Sequence, residues 1–149
     1  MHDRQVFTRR LLTAAVLLPI VAMAELPTVQ VFKSATCGCC IRWISHLQEH
    51  GFTVTATDVG DMSTVKVEND VPPQLYSCHT ALIDGYVIEG HVPAPDIMLL
   101  LAERSEVSGL AVPGMPIGSP GMEGPNPEAY EVFSFDDSGA AREFATHHP

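Results

Sequence analysis

Three cysteines within four residues, Cys37-Gly38-Cys39-Cys40, stand just after a strand-like run, Val29 to Lys33, and at the head of a stretch with helical spacing. The cluster holds both a C-x-C and a C-x-x-C. Thiols at a helix start face unpaired backbone N–H groups and the positive end of the macrodipole. Both favour thiolate, so lowered pKa values and good nucleophiles or metal ligands are expected here. Gly38 lets the backbone turn tightly enough for Cys37 to fold back toward Cys40. A structural disulfide gains little from closing so short a loop. Redox chemistry or ligation suits the spacing better, and the residues alone leave both open.

The rest of the chain supplies the frame. Ile41, Ile44, Leu47 and Trp43 predict a helix over 40–50, stopped by Gly51. Phe52 to Thr57 alternates as a strand does. Asp61 to Asn69 reads as a second helix, capped by Asp61 or Ser63 and ended before Pro72-Pro73. Asp84-Gly85 between Thr80–Ile83 and Tyr86–Glu89 is a strong hairpin signal. A third helix follows Pro93, with Ile97, Leu100 and Leu101 toward the core and Met98 among them. A Gly/Pro-rich stretch over 112–125, a strand over Tyr130 to Phe135 and a turn at Asp137-Ser138-Gly139 complete the reading. His147-His148 reads as a tail. Strand, helix, strand, helix, hairpin, helix is the plan of an α/β, thioredoxin-like fold with a Gly/Pro-rich loop. That fold keeps its reactive cysteines where this cluster lies.

Residues 1–24 read as an export signal. Arg4, Arg9 and Arg10 form a basic start, Leu11 to Val21 an apolar run, and Ala22-Met23-Ala24 a small-x-small cleavage pattern. The run is shorter than the ~20 residues a membrane span needs. Thr8-Arg9-Arg10-Leu11-Leu12 also fits a twin-arginine motif, which leaves the export route open between two systems. The domain expected after cleavage, residues 25–149, carries 5 basic and 17 acidic side chains, a net charge of −12. Such a surface disfavours phosphate backbones and anionic lipids, so nucleic acid and membrane are not expected partners. Export implies an oxidising compartment.

Cys78, in Ser77-Cys78-His79-Thr80, precedes the hairpin in the loop that lies against the cysteine pair in thioredoxin-like folds. The expectation is that Cys78 faces Cys37 and Cys40, with His79 beside them. Soft thiolates select Cu(I), Zn(II) or iron–sulfur clusters. A four-cysteine zinc site uses two separate C-x₂-C knuckles, which three sulfurs in four residues fit poorly. Crowded sulfurs suit bridging between ions, which favours Cu(I). Met115 and Met122, in the Gly/Pro stretch, add soft thioethers. His91 reads as an ordinary loop histidine, and His46 and His50 as a solvated helix face.

The motifs together are similar to those of a family of small exported bacterial metal-binding proteins, formerly a domain of unknown function, to which the periplasmic copper-resistance protein CopG belongs. The carriers are Thr36-Cys37-Gly38-Cys39-Cys40 with Trp43, Ser77-Cys78-His79-Thr80-Ala81, Asp84 to Pro93, Ala111 to Pro116 and Gly118 to Glu123. The resemblance implies a thioredoxin-like fold and a periplasmic location. It also implies copper as the bound metal, held by Cys37, Cys39, Cys40 and Cys78 in a multinuclear copper–thiolate cluster with Cu(I)/Cu(II) redox activity. Copper ions and other periplasmic copper-handling proteins are the partners it implies. No residue stands out as catalytic, so binding is expected over turnover, with copper oxidoreduction as the enzymatic variant. A thiol–disulfide oxidoreductase using Cys37 and Cys40 is the competing expectation. A disulfide-stapled interaction module is a third.

Overall fold

The computed structural model describes residues 25–148. The expected signal segment lies outside the described residues. Among them, seven strands and three α-helices form a mixed α/β structure: β1 (Val29–Lys33), α1 (Gly38–Glu49), β2 (Val54–Asp58), α2 (Met62–Glu68), β3 (Thr80–Ile83), β4 (Tyr86–Glu89), α3 (Ala94–Glu103), β5 (Gly109–Ala111), β6 (Tyr130–Phe135) and β7 (Ala141–His147), with a 3₁₀ turn over Pro73–Leu75. The strands make one sheet in the order β2-β1-β3-β4-β5-β6-β7. β1 runs parallel to β2 and β4 parallel to β5, and the other neighbours are antiparallel.

Period-two alternation divides the sheet's apolar residues between two clusters. Val29, Val31, Ala81, Ile83, Ile88 and Leu110 pack with Trp43 and Leu47 of α1 and with Ile97 and Leu100 of α3. Their sequence neighbours Leu82, Val87 and Ala111 belong to the second cluster, with Val71, Leu75 and Phe135. Lys66 of α2 bonds Thr80 and Glu89, register partners on β3 and β4.

The strand–helix–strand–helix–hairpin–helix order matches the sequence reading. The hairpin spans the expected residues, with Asp84 at φ 48° and Gly85 at φ 88°, the left-handed pair that a tight turn requires. Asp61 caps α2, accepting from the Ser63 N–H at 2.9 Å. Three details differ. Ile41 is exposed, and the buried line of α1 is Cys40, Trp43 and Leu47. Cys40, Trp43 and Leu47, spaced i, i+3, i+7, take the sheet-facing side, and Ile41 falls off that line. β5 is only three residues long and flanked by irregular chain, too short for periodicity to reveal. Gly109 is essential to it, since a Cβ there would meet the Val87 backbone. β7 follows the Asp137–Gly139 turn and pairs along β6 with a bulge at Val132/Phe133. His147 is therefore a strand residue, its Nε2 2.7 Å from Asp96 Oδ2 on α3.

The arrangement gathers four connections at one end of the sheet. The chain leaves β1, β4 and β5 there and enters β3 there, because β3 runs antiparallel to β1 and β4. Those connections carry Cys37 to Cys40, Cys78 and His79, His91, and the Gly/Pro loop.

Candidate metal centre

Cys37 is the N-cap of α1, and its side chain makes no capping bond. Its sulfur is joined to Cys40 in a disulfide, while Cys39 and Cys78 are free. Cys39 Sγ lies 3.5 Å from Cys37 Sγ and 3.9 Å from Cys78 Sγ, and Cys40 Sγ lies 3.6 Å from Cys78 Sγ. All four sulfurs fall within 4.8 Å of one another. Cys78 thus faces the α1 cysteines, as its place before the hairpin led us to expect.

Two imidazoles meet the same sulfur. His79 Nδ1 is 3.2 Å and His91 Nε2 3.0 Å from Cys78 Sγ. The other ring nitrogen of His91, Nδ1, lies 2.7 Å from the Pro120 carbonyl. Donation of an Nδ1–H to that carbonyl leaves the Nε2 lone pair directed at Cys78, the tautomer assigned from this contact. His91 was expected to be an ordinary loop histidine; it belongs to the cluster. The signal was its position directly beyond the hairpin, beside the chain that carries Cys78. Gly90 links the two segments, donating its N–H to the His79 carbonyl at 3.0 Å. A Cβ at Gly90 would lie 2.7 Å from the Val112 carbonyl oxygen.

His79 is fully buried and packs against Trp43 with the rings tilted, their centroids 4.3 Å apart. Its Nε2 has no hydrogen-bond partner among the described residues. A buried polar atom left alone is costly, and such exceptions call for an explanation. Trp43 is itself fixed by its indole N–H, which donates to the Val92 carbonyl at 2.8 Å.

Burial sets the proton states. The Cys78 thiol is pushed up to about 12, first by burial and then by Cys39 beside it. Burial also holds His79 well below its ordinary value of 6.5, with His91 and Lys66 adding to the effect. His91 is lowered by burial too, opposed by its bond to Pro120. Both rings are therefore neutral at pH 7 and carry free lone pairs.

The Gly/Pro loop closes over this centre. Gly114 pairs with Ser77, next to Cys78, and donates its N–H to the Tyr76 carbonyl at 3.1 Å. Pro120 holds His91. Gly121 lies against the start of α1, where a Cβ would stand 2.7 Å from the Cys39 carbonyl oxygen and from the Trp43 nitrogen. Arg42 Nε donates to the Gly121 carbonyl at 2.9 Å, and Glu123 Oε1 accepts the Gly121 N–H at 2.7 Å. Met115 is half exposed and Met122 partly buried. Each follows directly on an anchored residue, Gly114 or Gly121. His46 and His50 pack against each other with tilted rings, and His46 Nε2 accepts the Ala94 N–H at 3.0 Å. That bond occupies one of the nitrogens a metal would use.

Crowded sulfurs and neutral imidazoles form a soft donor set that fits a soft cation. A family profile described as "Protein of unknown function, DUF411" matches residues 75–122. That segment runs from Leu75 through Cys78, His79 and His91 to Met122. No protein with a curated description matches the chain. Two solved structures, Form 1 and Form 2 of a copper resistance protein, copG, are similar to it. For Form 2 the identity is 48%, the TM-score 0.78, and the match covers 83% of this chain and 99% of that one. Form 1 gives the same identity and TM-score, covering 84% of this chain and 100% of that one. The chain belongs to the DUF411/CopG family. It is a homologue of a copper resistance protein, and its four cysteine sulfurs lie close enough together to share a metal ion. Within that family the matched segment supplies Cys78 and both imidazoles, and the α1 cysteines lie outside it.

Proposed function

We propose that the chain is an exported copper-binding protein of copper resistance that holds Cu(I) in a copper–thiolate cluster. Cys37, Cys39, Cys40 and Cys78 are the sulfur ligands, His79 and His91 the adjoining imidazoles, and Met115 and Met122 the soft donors of the covering loop. The observation that carries this reading is the convergence of four sulfurs from two separate segments within 4.8 Å. The 48% identity to a copper resistance protein supports the choice of copper. Sulfur crowding supports more than one ion, because each thiolate then bridges. His79 Nδ1, 3.2 Å from Cys78 Sγ, supports a ligand at that ring. On this reading residues 1–24 direct export to the periplasm, and residues 25–149 are the mature, thioredoxin-like domain.

The chain's own residues define two states of the site. With the Cys37–Cys40 disulfide in place, Cys39, Cys78 and the imidazoles are the available donors. Reduction by two electrons and two protons frees all four sulfurs. Binding then displaces thiol protons, among them that of Cys78, which burial holds on the sulfur in the metal-free protein. A bound copper ion supplies the capacity to pass between Cu(I) and Cu(II). Trp43 and the covering loop exclude water from the side of His79.

Anaerobic titration of the reduced chain with Cu(I) tests this. Trp43 is the sole tryptophan, so its fluorescence reports loading. The expected result is a saturable change with more than one copper per chain by elemental analysis. No retained copper would overturn the proposal. A second reading, thiol–disulfide exchange through Cys37 and Cys40, draws on the disulfide at the head of α1. It predicts that the metal-free protein reduces insulin, and lack of that activity would dismiss it.

A further inference from the structure

Lys66 and Glu89 are both buried, the carboxylate fully. They come from different elements, α2 and the end of β4, and meet at 2.5 Å. Burying two charges sacrifices hydration that their attraction recovers only in part, and an apolar pair of similar volume often serves stability as well or better. The pair's remaining bonds suggest a specific task. Glu89 Oε1 accepts the Ser77 N–H at 2.6 Å, and Oε2 accepts the Thr80 hydroxyl at 2.7 Å. Lys66 Nζ lies 3.1 Å from Thr80 Oγ1 and 5.5 Å over the Tyr76 ring. Every contact named falls on Tyr76, Ser77 or Thr80, the residues flanking Cys78 and His79.

The segment between the 3₁₀ turn and β3 has little regular hydrogen bonding of its own, so its position must be set from outside. Glu89 is the register partner of Thr80 and stands two residues before His91. One carboxylate can therefore fix the Cys78 chain relative to the strand leading to His91. We propose that the buried Lys66–Glu89 pair is a positioning device of the copper site, holding Cys78 and His79 at bonding range of the α1 cysteines and His91. This rests on the copper reading above. Groups that orient metal ligands from behind typically change affinity by about 10–100-fold when removed.

The test compares two double variants of the full chain. Lys66→Met with Glu89→Leu removes both charges, strands neither, and deletes the acceptors for Ser77 and Thr80. Lys66→Met with Glu89→Gln also removes both charges but restores a carbonyl acceptor. Thr80→Val is a milder third variant that leaves the ion pair in place. Cu(I) affinity is measured anaerobically by chelator competition on protein verified as folded by near-UV circular dichroism. The Leu pair is expected to lose about 10–100-fold, and the Gln pair to recover most of that loss. Thr80→Val is expected to lose several-fold. Equal affinity in the two double variants, or wild-type affinity in Thr80→Val, would overturn the proposal. If the Leu pair does not fold, the Thr80→Val result decides.

A metal-free measurement separates this inference from the copper reading. With Cys37, Cys39 and Cys40 replaced by Ser, the alkylation rate of Cys78 by iodoacetamide should rise several-fold in the Thr80→Val and Leu-pair backgrounds. An unchanged rate would overturn the positioning role. If the wild-type chain holds no copper, the copper reading fails, and the alkylation rates alone decide whether the pair positions Cys78.

Discussion

The sulfur of Cys78 lies 3.0 Å from Nε2 of His91, whose Nδ1 lies 2.7 Å from the Pro120 carbonyl. One ring thus ties the loop before β3, the end of the hairpin and the covering loop to a single point. His91→Phe keeps a buried planar ring and removes both nitrogens. It should weaken Cu(I) retention by about 10–100-fold while the protein stays folded. Chelator competition checks the affinity and circular dichroism the fold.

The Cys37–Cys40 disulfide makes copper capacity depend on redox state. Protein purified with the disulfide intact should take up less Cu(I) than protein reduced beforehand and freed of reductant. Thiol counting alongside copper analysis follows both quantities, and two additional thiols should accompany the added capacity.

Gly121 has φ 84° and packs on the α1 backbone. Gly121→Ala combines left-handed strain with a collision against main-chain atoms that cannot swing aside. It should cost roughly 2–4 kcal/mol of stability and lift the covering loop from α1. Chemical denaturation measures the first effect. Faster proteolysis within 112–125 reports the second.

His46 introduces a pH dependence away from the sulfurs. Burial, then the neighbouring His50 charge, lowers it from 6.5. The neutral ring accepts the Ala94 N–H, which a protonated ring cannot do. Its folded-state pKa lies below the unfolded value, so its contribution is fully present above that value. The contribution is lost as pH falls through the folded-state pKa. His79 and His91 are lowered as well and act in the same direction. The denaturation midpoint should therefore fall on acidification below 6.5, and less steeply in His46→Gln. The difference between the two curves isolates His46; superimposable curves would remove it from the account.

Much of the frame was readable because it rests on local signals. Asp84-Gly85 between two strand-like runs specified the hairpin, and Asp61 and Ser63 marked the start of α2, with Asp61 taking the cap. Cys78 was placed by its order before that hairpin. The features that escaped depend on tertiary pairing. β5 has three residues and draws its register from strands on both sides. β7 follows an ordinary turn and is held by β6 and by the His147–Asp96 contact. Ile41 lies outside the core because Cys40, Trp43 and Leu47 form the buried line of α1, and a cysteine does not stand out as a core position. His91 escaped because one loop histidine looks like another until Cys78 and Pro120 stand on either side of it.

The most direct test of the central claim is anaerobic Cu(I) competition against a chelator of graded strength, run on the reduced wild-type chain and on Cys78→Ser. The account predicts that wild type withholds copper from the chelator and that Cys78→Ser, folded but lacking one of the four sulfurs, yields it at least about tenfold more readily. Equal retention by the two proteins would mean that Cys78 is not part of the copper site, and the four-sulfur account would fall.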